Sequence, residues 1–99
     1  MSRKLRRSSG NVFRDLGFPP SEAENLRLRA DLMIELTKLI EHRGLTQAAA
    51  AKLFGVSQPR VSDLVRGKID RFSVDTLIAM LGAAGVQVRV TTRRRARVA

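Results

Sequence analysis

With 99 residues, 43% of them hydrophobic, the chain holds enough apolar mass for one small core, and a domain of this size buries only about 60 to 65% of its unfolded surface. The lack of cysteine excludes disulfides and thiolate metal sites and suits a reducing cytoplasm. No apolar run approaches the roughly 20 residues of a membrane span, and the basic start of the chain leads into Ser8, Ser9 and Gly10 instead of an apolar signal core; a soluble, cytoplasmic protein with no membrane partner is expected.

The formal net charge of +10 is concentrated at the ends. Arg3, Lys4, Arg6 and Arg7, with Arg89, Arg93, Arg94, Arg95 and Arg97, supply nine of the 19 basic residues, so the remaining ten face nine acids and the middle carries only +1. Such runs are either solvated tails or contacts for a polyanion, whose condensed counterions are released as phosphates are neutralised.

Residues 1–10 have no apolar period and no predicted element. In the next piece, NVFRDLGFPP, Val12, Phe13, Leu16 and Phe18 suggest an arm packed on the domain or on a second subunit, with a short turn of helix or strand. Ser21 and Glu24 have the spacing of a capping box directly after Pro19 and Pro20, so a helix is expected from about 21 to 43. Leu26, Ala30, Met33, Leu36 and Ile40 recur at intervals of three and four and define its buried face. Gly44 stops it, and His42 and Arg43 suit the negative pole of its dipole.

The stretch QAAAAKLFGVSQPRVSDL, Gln47 to Leu64, reads as two short helices joined by a tight turn. Thr46 caps the first, whose run Ala48 to Ala51 allows another helix to approach closely. Gly55 provides the positive φ of the turn, Ser57 caps the second helix, and Pro59 occupies its first turn, where a missing amide hydrogen costs nothing. Placing Ala50, Ala51, Phe54, Val56, Val61 and Leu64 inward leaves Gln58, Arg60, Ser62 and Asp63 outward.

That arrangement resembles the helix-turn-helix of Cro/C1-type (XRE) regulators, with Gln47 opening the first helix, Ala51 at the close-packed position, Gly55 in the turn, and Val61 and Leu64 as core anchors. The resemblance implies a lambda-repressor-like fold with residues 57–66 as the recognition helix, its N-terminal half in the major groove. A helical hairpin that merely fills a bundle is the alternative. Between Gln47 and Arg71, five bases (Lys52, Arg60, Arg66, Lys68, Arg71) outweigh two acids (Asp63, Asp70), leaving +3.

Glutamine pairs with adenine, arginine with guanine and a carboxylate with the cytosine amino group. Gln58, Arg60 and Asp63 are therefore the expected base readers, and Pro59 offers apolar contact to a thymine methyl. Arg60 could equally reach a phosphate, and Asp63 could instead pair with Arg60 or Arg66. Gln47, Ser57, Ser62, Arg66, Lys68 and Arg71 are assigned to the DNA backbone, since positioning contacts come from amide, hydroxyl and cationic groups around such a motif.

Beyond the motif, Phe72 precedes the cap Ser73 of a further helix reaching Ala84, rich in Val74, Leu77, Ile78, Met80 and Leu81. Val86, Val88 and Val90 then alternate with polar residues at the period of a strand. A lone strand needs a partner, and the same strand of a second copy is the expected one. The dimer interface is thus assigned to these valines, and a palindromic operator with half-site centres about 34 to 36 Å apart follows.

The fold class expected is all-α, a small four- to five-helix bundle plus a C-terminal β-strand paired across a dimer. Its parts are a basic tail and apolar arm (1–20), a helix-turn-helix domain (21–85), a dimerisation strand (86–92) and a basic tail (93–99). The single histidine, His42, has no ligand set or positioned base around it, so no enzyme, metal or cofactor is expected. The arm, LFGVSQPRVSDL, and the GK and FS before the last helix are also similar to HigA-like antitoxins, which implies a repressor of its own operon that masks a RelE-like ribonuclease toxin. Two other readings stay open: an adaptor that neutralises a toxin without specific DNA binding, and a nonspecific nucleic-acid-binding protein.

Overall fold

The structure, a computed structural model, describes residues 11–94. The basic segment at 1–10 and most of the tail assigned to 93–99 lie outside the described residues. Asn11 organises the first element, α1 (Val12–Asp15), by acting in two directions. Its Oδ1 accepts from the amides of Phe13 at 2.9 Å and Arg14 at 3.4 Å, while its Nδ2 donates to the carbonyl of Ala23 at 3.1 Å. A single helical turn has little stability of its own, so this buried side chain, with an edge-on contact of Phe13 and Phe18 at 6.1 Å, is what makes the arm a helix resting on its own chain.

Helix α2 (Pro20–Arg43) is the scaffold, and its 24 residues span about 36 Å. It begins differently from the expectation. Pro19 is the cap residue without any side-chain cap, Pro20 opens the helix, and Ser21 falls inside the first turn, so the Ser21–Glu24 capping box does not form. Two fixed proline φ angles set the start and need no reciprocal cap; Glu24 pairs with Arg27 at 3.1 Å instead. Ala23, Leu26, Leu32, Met33, Leu36 and Ile40 form the buried stripe.

Thr46 Oγ1 accepts from the amide of Ala49 at 3.0 Å and starts α3 (Gln47–Phe54). Gly55 ends it at φ 71°, and the amide of Val56 bonds back to the carbonyl of Ala51 at 3.0 Å. A side-chain-bearing residue would be strained in that conformation, so Gly55 fixes how sharply the chain turns into α4 (Gln58–Val65). Ser57 Oγ caps α4 on the amide of Arg60 at 3.3 Å. A 3-10 turn, Ile69–Arg71, then leads to α5 (Val74–Ala83), which Ser73 caps on Thr76 at 3.1 Å.

The core lies where α2, α3, α4 and α5 meet, and its largest fully buried side chains are Leu36, Val61, Leu64, Phe72, Leu77, Met80 and Leu81. Burial of such groups contributes about 1.5 to 3 kcal/mol each relative to exposure, and α4 is held chiefly by Val61 and Leu64.

The C-terminal β-strand is not formed: the described residues are helical or irregular, with no strand. The alternation that suggested it has another cause. Val86 and Val88 are half-buried against the helical core while Gln87 and Arg89 are exposed, so an irregular strap lays one side on the bundle without a ladder. It leaves α5 through a hydrogen bond from the amide of Val86 to the carbonyl of Leu81 at 2.9 Å, and residues 90–93 run beside Ser21, Glu24, Asn25 and Leu28 at the start of α2.

Candidate nucleic-acid interface

Three constraints aim α4: the Gly55 turn, the Ser57 cap, and the buried pair Val61 and Leu64. They leave the N-terminal end of the helix on the surface. Gln58 and Pro59 are both exposed, and among the described residues no hydrogen bond engages the Gln58 amide. A free amide at this point can donate and accept together, as the edge of an adenine requires.

The other two expected readers are engaged within the chain. Arg60 is half-buried: its Nη1 donates to the carbonyl of Arg71 at 2.8 Å, and its guanidinium carbon lies 5.3 Å from the ring centroid of Phe72. Asp63 accepts from Arg71 Nη1 at 3.3 Å, so its partner is neither of the two arginines that sequence spacing nominated. The Asp63 side chain is 20% exposed and that of Arg71 54%, which makes this a surface pair worth little to stability.

The residues assigned to the DNA backbone surround α4. Gln47 is the exposed first residue of α3, Ser57 is exposed, Ser62 is half-buried on α4, and Arg66 is exposed just past its end. Lys68 is half-buried and precedes the 3-10 turn, which carries exposed Arg71. The structure thus brings Gln58, Arg60, Asp63, Arg66, Lys68 and Arg71 onto α4 and the loop after it. Val86, Val88 and Val90 are elsewhere: the first two are half-buried on the core and Val90 is 56% exposed.

One participant has no sequence signal. Arg29, on α2, donates through Nη1 to the carbonyls of Ile69 at 3.1 Å and Phe72 at 3.3 Å, gripping the loop from behind. Helical spacing reveals only its neighbour Asn25, which accepts from its Nε at 2.7 Å; a contact across 40 residues of chain leaves no local pattern. Among the described residues, no group of His, Cys, Asp or Glu could hold a metal ion, and no helix is long and apolar enough to cross a membrane.

Residues 12–93 match a family of helix-turn-helix domains, a span that takes in the arm and the strap as well as the bundle. A solved structure assigned to the XRE family of transcriptional regulators is similar over 79% of this chain and 90% of its own, with 36% identity and a TM-score of 0.70. No curated protein matches. Family and structural likeness agree, and the chain belongs to the XRE-type helix-turn-helix regulators.

Proposed function

We propose that the protein is a sequence-specific, duplex-DNA-binding transcriptional repressor that acts as a dimer on a palindromic operator. The observation that carries the reading is the exposed N-terminal end of α4, where Gln58 and Pro59 follow the Gly55 turn and the Ser57 cap and enter no side-chain hydrogen bond among the described residues. Gln58 reads a base edge and Pro59 supplies apolar contact. Asp63 and Arg60 stand beside them, and Gln47, Ser57, Ser62, Arg66, Lys68 and Arg71 approach phosphates.

Selection from a randomised duplex pool tests the reading. Enrichment of one two-fold symmetric sequence, bound about 10³-fold or more tighter than random duplex, is expected. Binding that is sensitive to salt and indifferent to sequence would leave only a nonspecific nucleic-acid binder.

The dimer is assigned to the strap. Beyond the amide of Val86, no backbone hydrogen bond ties residues 87–94 among the described residues, and Val90 presents apolar surface. The exposed Val90, with Val86 and Val88 beside it on the core, is the surface assigned to a second copy. Sedimentation of the Val88→Pro variant should give a monomer, and a persistent dimer would refute this interface.

A second reading has its own support. Val12, Leu16 and Phe18 on the arm are 49%, 68% and 39% exposed, an apolar surface that DNA does not explain. Masking of a RelE-like toxin by an antitoxin of the HigA kind would use it. Co-purification with the product of a neighbouring ribonuclease-like gene, abolished by Leu16→Asp with DNA binding retained, is the outcome this reading requires.

A further inference from the structure

The segment after α4 has little regular structure to hold it. Its amides make short-range bonds only, from Lys68 to the carbonyl of Asp63 at 3.0 Å, from Arg71 to Lys68 at 3.0 Å, and from Phe72 to Ile69 at 3.3 Å. Phe72 and Ile69 seat it on the core through their side chains, and its backbone carbonyls are taken by guanidinium groups. Arg29 takes the carbonyls of Ile69 and Phe72, and Arg60 takes the carbonyl of Arg71 between them. Carbonyls along one loop are thus gripped by arginines from two helices, α2 on one side and α4 on the other.

We propose that Arg29 and Arg60 are positioning residues that set the loop of Arg66, Lys68 and Arg71 against the DNA backbone, and that Arg60 does not read a base. The inference rests on the DNA-binding reading above. Arg60 lies against Phe72, a ring only 2% exposed, and donates at 2.8 Å. To reach a guanine it would have to give up a charge-assisted bond and uncover that ring, which offsets what a bidentate base contact returns. The planar fork suits the task it has, since one face covers the ring while an edge nitrogen donates to the carbonyl. Arg29 sits on α2 with Nη1 on the carbonyls of Ile69 and Phe72, so its proposed contribution to binding passes through the loop.

Two measurements on the full chain test this. Amide exchange of the free protein at Lys68, Arg71 and Phe72 should quicken about tenfold in Arg60→Ala and in Arg29→Gln, as expected when a charged hydrogen bond is removed. Amides of α2 and α5 should keep their protection, and Arg60→Lys should recover part of the loop's. In selection from a randomised duplex pool, both variants should prefer the wild-type sequence while binding every duplex about tenfold more weakly. The dependence of log affinity on log salt should become shallower by about 0.9 for each phosphate that the displaced loop leaves unneutralised.

Unchanged loop exchange in both variants would overturn the clamp. A preference relaxed at a single guanine in Arg60→Ala, with Arg29→Gln behaving as wild type, would restore Arg60 as a reader. Should the wild-type chain bind no duplex at all, the DNA-binding reading fails and takes the phosphate role with it, while the exchange rates still confirm or refute the clamp.

Discussion

The two ends of α4 are built on opposite terms. At the N-terminal end, Gln58 and Pro59 are exposed and Gln58 is unengaged among the described residues, while further along the helix and in the loop beyond it, Arg60, Asp63 and Arg71 are tied to one another and to Phe72. An unengaged polar group on a rigid frame is available to discriminate, because its whole hydrogen-bonding capacity goes to whatever docks there. A group already bonded gives shape to its surroundings. Residues that look equivalent on a helical wheel therefore divide into engaged and unengaged groups once their partners are known, and the proposed holders and readers follow that division.

The largest effect comes from breaking the frame that both ends share. Leu64 is 2% exposed and anchors α4 in the core, so Leu64→Ala should cost about 2 to 5 kcal/mol of stability. Denaturant unfolding measures it, and operator binding should fail at temperatures where the variant unfolds. A cost far below that range would mean that α4 is held by something other than its buried anchors.

Next in size is the reading end. Gln58→Ala should cost about 1 to 3 kcal/mol of operator binding and relax base choice at one position, with unfolding unchanged because Gln58 makes no contact that the fold uses. A selection profile identical to that of the wild type would remove Gln58 from the readers. The contrast with Arg60→Ala is the sharpest available: uniform weakening from one residue and a single altered preference from the other.

How much of this is legible in the sequence follows from the range of the interactions involved. Helix positions are local: the spacing of Leu26, Met33, Leu36 and Ile40, the caps Thr46, Ser57 and Ser73, and the stops at Gly44 and Gly55 can all be read along the chain, and the structure forms each of them. Two local readings go astray where one pattern has two solutions. Ser21 and Glu24 have capping-box spacing, but Pro20 starts the helix first; and the valine alternation from Val86 suits a strand as well as a strap laid on helices. The loop partners of Arg29, Arg60 and Asp63 lie eight or more residues away in the chain, across a segment whose path no periodicity encodes. Sequence therefore identifies which residues lie on α4 and the loop after it, while which of them are engaged within the chain needs the fold.

The smallest effect concerns Asp63, where the two ends of the comparison meet. Its side chain is engaged in the pair with Arg71, and a carboxylate among Arg66, Lys68 and Arg71 also opposes the approach of a phosphate. Removing that charge in Asp63→Asn should change stability by less than about 1 kcal/mol, since exposed ion pairs contribute little. It also releases Arg71. If Asp63 is a holder, every duplex should then bind somewhat more tightly, and the dependence on salt should steepen by about 0.9 as the freed Arg71 takes up a phosphate. The base preference should stay as it is in the wild type. If instead Asp63 accepts from a cytosine amino group, the variant should lose discrimination at one position and gain nothing on other sequences. Titrations of Asp63→Asn on the selected operator and on scrambled duplex at two salt concentrations separate these outcomes, because a holder shifts both curves together and a reader shifts only the first.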